Sequence, residues 1–336
     1  MKLCEMECST VPVRVIFRLP NFMLGYIIIK SAMKRCECMK YFEKHPMLLV
    51  VVGIIGCGLA GVFVKISTAP SSMTAAVRLL WTVLLLSPVT LGSKAFRGEL
   101  LAIGKKDALL SCLSGLFLAA HFVVWFESLR YTSVAISTTI CCTEVVWVTL
   151  AFCFILKGSI SRKALLAIGV TLLGNVLIAW ADLGTASGLL GDLMSLAAAV
   201  LLAAYTVIGR VVRMNVSTTV YTYICYSACA VALVITCLVQ GLDFVSYGFS
   251  PYLAGLLLAV FSTILGHSIF NWCLKFFTPS FVSASKLCIP ITSAVFAFFA
   301  FSEVPTVLQF VGCLVILGGM CWYYKIESGV KNEENS

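Results

Sequence analysis

Charge is what this sequence has least of. Only 12% of its residues are charged while 60% are hydrophobic, about half the charged share of an ordinary soluble domain. A water-soluble fold, which needs that charge on its surface, is excluded. The loop G-x-x-x-x-G-K-[ST], which cradles a nucleotide phosphate, is also missing, so the chain hydrolyses no ATP and any coupling must come from a proton, another ion or the solute gradient. No two cysteines have the C-x-x-C spacing, and no histidine pattern completes a zinc site. Cys57, Cys112, Cys141, Cys142, Cys153, Cys225, Cys229 and Cys313 lie inside apolar runs, where cysteine acts as a small hydrophobe. Cys4, Cys8, Cys36 and Cys38 form a looser group that reads as reduced thiols facing the cytosol.

What is present in quantity is apolar chain in runs of about 18 to 24 residues, the length that crosses roughly 30 Å of hydrocarbon at 1.5 Å per residue. Spans are predicted at 47–66, 71–91, 107–129, 133–156, 163–181, 188–209, 216–239, 251–273, 278–302 and 305–324. The connections are short and carry turn residues such as Pro70, Gly158 and Pro251. Positively charged loops stay cytoplasmic. Lys94, Arg97, Lys105, Lys106, Lys157, Arg162, Lys163, Arg210, Arg213 and Lys275 fall on one side of the alternation, while the opposite side carries only Arg130 and, at the end of the first span, Lys65, with Asp182 and Asp243 marking two of its loops. Both termini are thereby expected in the cytoplasm of a plasma-membrane protein. The net charge of +9 is read as an orientation signal, so no nucleic-acid partner is called for.

Residues 1–45 form a basic arm. Its apolar patch, 22–29, is too short to span and no small-residue cleavage site follows. An arm resting on anionic lipid, with a weak amphipathic helix near 21–35, and a plain unstructured extension both fit. Residues 326–336 form a cytoplasmic tail.

The chain repeats itself. His121 with Thr132 recurs as His267 with Thr278 at the same spacing, and Ser137 recurs as Ser283. Further on, 156–174 aligns with 301–319 after a one-residue slip. Two copies, 46–181 and 188–325, would hold five spans each, and an odd number makes the second copy enter the membrane from the opposite side. The expected fold is all-α and polytopic: ten transmembrane helices as two inverted five-helix repeats, an arrangement used by many secondary transporters.

Five segments carry a family likeness: KISTAPSSMTAAVRLL (65–80), HFVVWFESLRYTSVAIST (121–138), GDLMSLAAAVLLAAYTVIGR (191–210), GHSIFNWCLKFFTPSFVSASKL (266–287) and FSEVPTVLQFVGCLVILGG (301–319). Over about residues 46–325 the chain resembles EamA-type members of the drug/metabolite transporter superfamily. That resemblance implies a ten-helix carrier of small metabolites or drugs with cytoplasmic termini. Two positions depart from the family pattern. Lys157 and Gly158 stand where Gly-Glu is common, although Glu303 keeps the acid in the second half, and Ile289 rather than Glu precedes Pro290. A role for that second carboxylate cannot be carried over.

Ionisable groups in hydrocarbon cost several kcal/mol unless they face water or a partner. Glu144 lies mid-span, about 18 Å from the span's start, beyond the reach of a glutamate to either interface. It is a candidate proton acceptor or partner for a substrate amine, the alternative being an interhelical pair with Arg78 or Lys286. His121 and His267 occupy matching places and either titrate or bond across a helix pair. Arg78 and Lys286, each about eight residues inside a span, either line the path or snorkel to an interface. Tyr205, Asn271, Asn175, Trp125 and Trp272 could line a solute site, or serve as core and interface-belt residues. Gly53, Gly56, Gly318 and Gly319 suit close helix packing. No catalytic, metal or cofactor set is found.

A secondary carrier working by alternating access is the leading reading, moving a metabolite, amino acid or drug-like solute. Its expected partners are that small molecule and the lipid bilayer, with a homodimer left open. A membrane-embedded enzyme on a lipid substrate would need converging nucleophiles or acids near an interface, and Glu127 with Arg130 reads only as a surface pair. A non-transporting sensor is the third reading, since fold does not fix function.

Overall fold

The computed structural model describes residues 45–132, 134–180, 188–301, 304 and 306–334. The basic arm, the segment containing Asp182, and Glu303 lie outside the described residues. Ten helices are long and apolar enough to cross a membrane. In order they are Pro46–Ile66, Ser71–Gly92, Lys105–Ser128, Ile136–Phe154, Arg162–Trp180, Leu189–Arg213, Thr218–Val239, Ser250–Cys273, Pro279–Ala300 and Val307–Gly329. The described residues contain no strand, as hydrocarbon demands of an open chain whose backbone groups must all be satisfied within each segment. A short helix, Lys94–Ala102, follows the second span. Hydropathy missed it because it is too brief and too charged to register as a span.

Large apolar side chains stand on the outside: Leu84, Leu109, Phe154, Leu166, Val231 and Phe299 are all exposed, which suits lipid. The interior is built instead from small and hydroxyl-bearing residues such as Ala198, Ala199, Ser195, Cys225 and Cys229. Several hydroxyls bond the carbonyl one turn back, as in Thr82 to Arg78, Thr171 to Ala167 and Ser195 to Gly191, so each polar group is satisfied within its own helix. Glu127 and Arg130 form the expected exposed pair at 2.9 Å. In the loop after the seventh span, the Ser246 hydroxyl and the Val245 amide hold the Asp243 carboxyl below the usual carboxylate range.

Helix contacts follow a twofold rule. The second span packs on the seventh, the fourth on the ninth and the fifth on the tenth, each pair being equivalent positions in the two repeats. Contacts of the third span with the sixth and seventh are matched by contacts of the eighth with the first and second. At the crossing of the fifth and tenth spans the rule reaches single atoms. A Cβ on Gly174 would fall 2.7 Å from an Ile316 side-chain carbon and 2.8 Å from the Gly312 carbonyl oxygen, and one on Gly319 would fall 2.3 Å from the Thr171 hydroxyl and 3.2 Å from the Ala167 carbonyl oxygen. Positions 174, 171 and 167 become 319, 316 and 312 by one common shift, so each glycine meets the equivalent of what the other meets. Of the glycines expected to pack closely, Gly56 meets the Phe261 carbonyl, whereas Gly318 meets nothing.

Four spans are not continuous α-helices. The first breaks at Leu59 between Pro46–Gly58 and Ala60–Ile66. The fourth breaks at Thr143 between Val134–Cys142 and Glu144–Phe154. The ninth tightens to a 3-10 turn at Lys286–Cys288, between Pro279–Ser285 and Ile289–Phe301. Pro290, which has no N–H to give to the turn before it, explains that change. The freed Leu287 carbonyl is taken by the Asn175 amide at 3.2 Å, which gives Asn175 a packing role. The eighth span widens into a π-helix over Leu258–Ser268, a form frequent at functional sites.

Candidate functional site

Two of the buried charges lie on irregular segments. Glu144 opens the second piece of the fourth span and Lys286 sits in the 3-10 turn of the ninth. Both are buried, Glu144 at 2% and Lys286 at 6% exposure. Lys286 Nζ lies 2.9 and 3.1 Å from the two carboxylate oxygens of Glu144 and donates to Thr206 Oγ1 at 3.3 Å. The Thr206 hydroxyl donates to Glu144 Oε1 at 2.7 Å and Ser283 donates to the same oxygen at 3.2 Å. All three ammonium protons and both carboxylate oxygens are therefore engaged, the condition under which a buried pair survives its desolvation cost. The pair joins the first repeat to the second.

Arg78 is not the partner of Glu144. It is 2% exposed, and its Nε donates to Thr263 Oγ1 at 2.7 Å and its Nη2 to Ser262 Oγ at 3.1 Å. Both hydroxyls belong to the π-helix. The guanidinium carbon stands 4.6 Å from the centre of the Phe122 ring, a cation–π contact. Snorkelling is thereby corrected for Arg78 and Lys286 alike: each is a few residues too deep, and each finds hydroxyl partners inward.

Phe122 links the remaining groups. Its ring lies 5.3 Å from that of His121 and 5.8 Å from that of His267, and His267 in turn lies 6.1 Å from Tyr205. His121 Nδ1 is 2.9 Å from the Ala198 carbonyl, so that nitrogen carries the proton and donates it. His267 has no such bond: its Nδ1 is buried without a partner among the described residues. Asn271 donates from Nδ2 to the Tyr205 phenol at 2.5 Å. Trp125 stacks on His121 with ring centres 6.2 Å apart and has a buried, unbonded Nε1. Trp272 packs on Phe276 at 4.2 Å, apart from the others. Arg78 and both histidines share Phe122 as a neighbour, and His267 packs on Tyr205, whose chain neighbour Thr206 bonds Glu144, so the two charged clusters lie side by side.

Sequence reasoning missed Thr206, Ser262, Thr263 and Phe122. The adjacent hydroxyls at 262 and 263, alone in an apolar stretch, were the available signal. Arg210 and Arg213 were read only as orientation marks. They also bond eighth-span carbonyls, Arg210 that of Leu274 and Arg213 that of Asn271 at 3.3 Å. An apolar crevice of about 470 Å³ lies elsewhere, with Leu100, Leu116, Tyr223, Val231 and Ile235 among its walls. Leu116, Val231 and Ile235 are exposed, so the crevice opens on the outer surface, away from the buried charges.

No curated protein matches this chain. A solved crystal structure, titled only as that of a protein, superposes with a TM-score of 0.71 over 85% of this chain and 99% of its own, at 17% identity, a likeness of fold alone. The EamA-like transporter family matches twice, over residues 45–180 and 189–324. Each match takes in five of the ten spans, in keeping with two copies entering the membrane from opposite sides. With both repeats matched across most of its length, the chain belongs to the EamA-like transporter family of the drug/metabolite transporter superfamily.

Proposed function

We propose that this protein is a secondary carrier that moves a small organic solute across the plasma membrane by alternating access, with both termini in the cytoplasm. The observation that carries the reading is the polar centre itself. Glu144, on the interrupted fourth span, meets Lys286 and Ser283 of the interrupted ninth and Thr206 of the sixth, so both repeats contribute, beside Arg78 and the π-helix of the eighth span. Interrupted spans at a repeat interface are where carriers of inverted-repeat architecture hold their solute. Rocking one repeat against the other would open that centre to each face in turn. The orientation rests on the lysine and arginine asymmetry of the loops.

Counterflow in proteoliposomes tests the reading. Vesicles preloaded with an unlabelled solute should concentrate the labelled form when the solute is a substrate, across a panel of organic acids, amino acids and amines. Solutes that raise the melting temperature of the purified protein yet never exchange would sink the carrier and favour a sensor. Engineered cysteines at Arg162 and Arg213 should stay unlabelled by an impermeant thiol reagent in sealed cells, while one at Asp243 reacts.

A further inference from the structure

Of the three charges in the polar centre, two cancel and one does not. Glu144 and Lys286 neutralise each other, and no carboxylate among the described residues lies within ion-pair distance of Arg78. The thiols and phenols of Cys57, Cys229, Tyr205 and Tyr226 stand near it and are neutral at physiological pH. Two of its five N–H groups bond hydroxyls, which leaves three donors of a planar fork without a partner. A buried, uncompensated cation is among the most costly groups a membrane interior can hold. The neighbouring wall is also incomplete. His267 has no hydrogen bond to a described residue and its Nδ1 is buried and bare. It is partly exposed, with its ring between those of Phe122 and Tyr205. The rest of that wall is aromatic.

Resting on the carrier reading, we infer that the substrate is a small organic anion, a carboxylate with an apolar or aromatic body, whose acid group docks on the Arg78 fork beside His267. An arginine fork matches a carboxylate in two parallel hydrogen bonds, and Phe122, Tyr205 and Trp125 offer the body a flat apolar bed. A substrate amine finds no free counter-charge, because Lys286 already occupies both oxygens of Glu144. The site therefore selects acids over amines, and Glu144 is not the group that binds the solute.

The test uses the full chain in detergent and in proteoliposomes, with hydrocinnamate and hexanoate, their matched alcohols and amines, and chloride. Wild type should be stabilised by the acids and should exchange them, with amines and alcohols at least about tenfold weaker. Arg78→Gln keeps an amide for the two hydroxyls and removes the charge. It should fold and bind the acids about a hundredfold more weakly, the loss that follows removal of one partner of a buried charge pair. Arg78→Lys should keep the preference for acids at lower affinity, and it carries the test if the glutamine variant does not fold. Preference for the amine, no acid bound at millimolar concentration, a folded Arg78→Gln with unchanged acid affinity, or chloride stabilising as strongly as the acids would each overturn the inference. Acid binding without exchange would instead sink the carrier reading and leave this one standing.

Discussion

The two repeats share a frame and divide the chemistry. Equivalent glycines cross at the fifth and tenth spans with equivalent neighbours, and the fourth and ninth spans break at matching depth. The copies differ at the polar centre. His121 donates to the Ala198 carbonyl, but His267 is unbonded. Ser137 belongs to a hydroxyl cluster with Ser128 at 2.8 Å and Ser195 at 2.9 Å, whereas Ser283 turns its hydroxyl to Glu144. At the shift that relates those serines, Glu144 corresponds to Pro290 and Lys286 to Ile140. Each half of the ion pair is thus a charge in one copy and an apolar residue in the other. Symmetry supplies the shared frame, and the polar centre lies where that symmetry locally fails.

The strongest way to break that division is to leave half of the pair alone. Glu144→Gln would strand the Lys286 ammonium in the interior, and loss of one partner of a buried pair costs about 3–5 kcal/mol. The melting temperature should fall sharply. Adding Lys286→Met, which removes the stranded charge and roughly conserves the volume, should recover most of the loss. If the single variant melts like wild type, the pair is not what joins the repeats at their centre.

A second experiment asks whether the frame is truly shared. Gly174→Leu and Gly319→Leu each drive a side chain into the facing helix, and overpacking of that kind costs about 1–3 kcal/mol. Their losses should be similar, because the two glycines meet equivalent neighbours. Gly318→Leu, on an exposed position with nothing within 4 Å, should change nothing. Melting curves of the three variants decide it, and a large inequality between the first two would show that the crossing is symmetric only in outline.

How much of this was legible beforehand follows from what leaves a periodic trace. Span number and repeat order were readable because each rests on many residues: a run of about 20 apolar side chains, or His121 and Thr132 recurring in register. Glu144 was readable as buried because its distance from either interface is set by helix rise alone. Which cation it meets was not, since Arg78 and Lys286 lie at similar depths and only the packing of the second span against the eighth, at Gly255 beside the Arg78 backbone, turns Arg78 away. The π-helix leaves no hydropathy signal, because widening a turn changes neither composition nor length. It moves Ser262 and Thr263 under the guanidinium, and so decides the site from a feature that periodicity cannot show.

The finest difference between the copies is a single hydrogen bond, and it predicts effects of opposite sign. His121→Phe removes the donor to the Ala198 carbonyl and leaves that oxygen unpaired in a buried place, at a cost of about 1–3 kcal/mol. His267→Phe removes a nitrogen that was already buried and unbonded, so no bond is lost and a small gain of up to about 1 kcal/mol follows from eliminating an unsatisfied polar atom. Transport should order the two variants the other way. His267 is partly exposed between Phe122 and Tyr205, and its loss should slow solute exchange in a vesicle assay. His121→Phe should retain most of the flux per folded molecule. Melting temperature and counterflow, measured on the same preparations, separate the two roles. Equal effects of the two substitutions on both quantities would mean that the repeats carry one packing task twice, and that the divergence at these histidines has no part in transport.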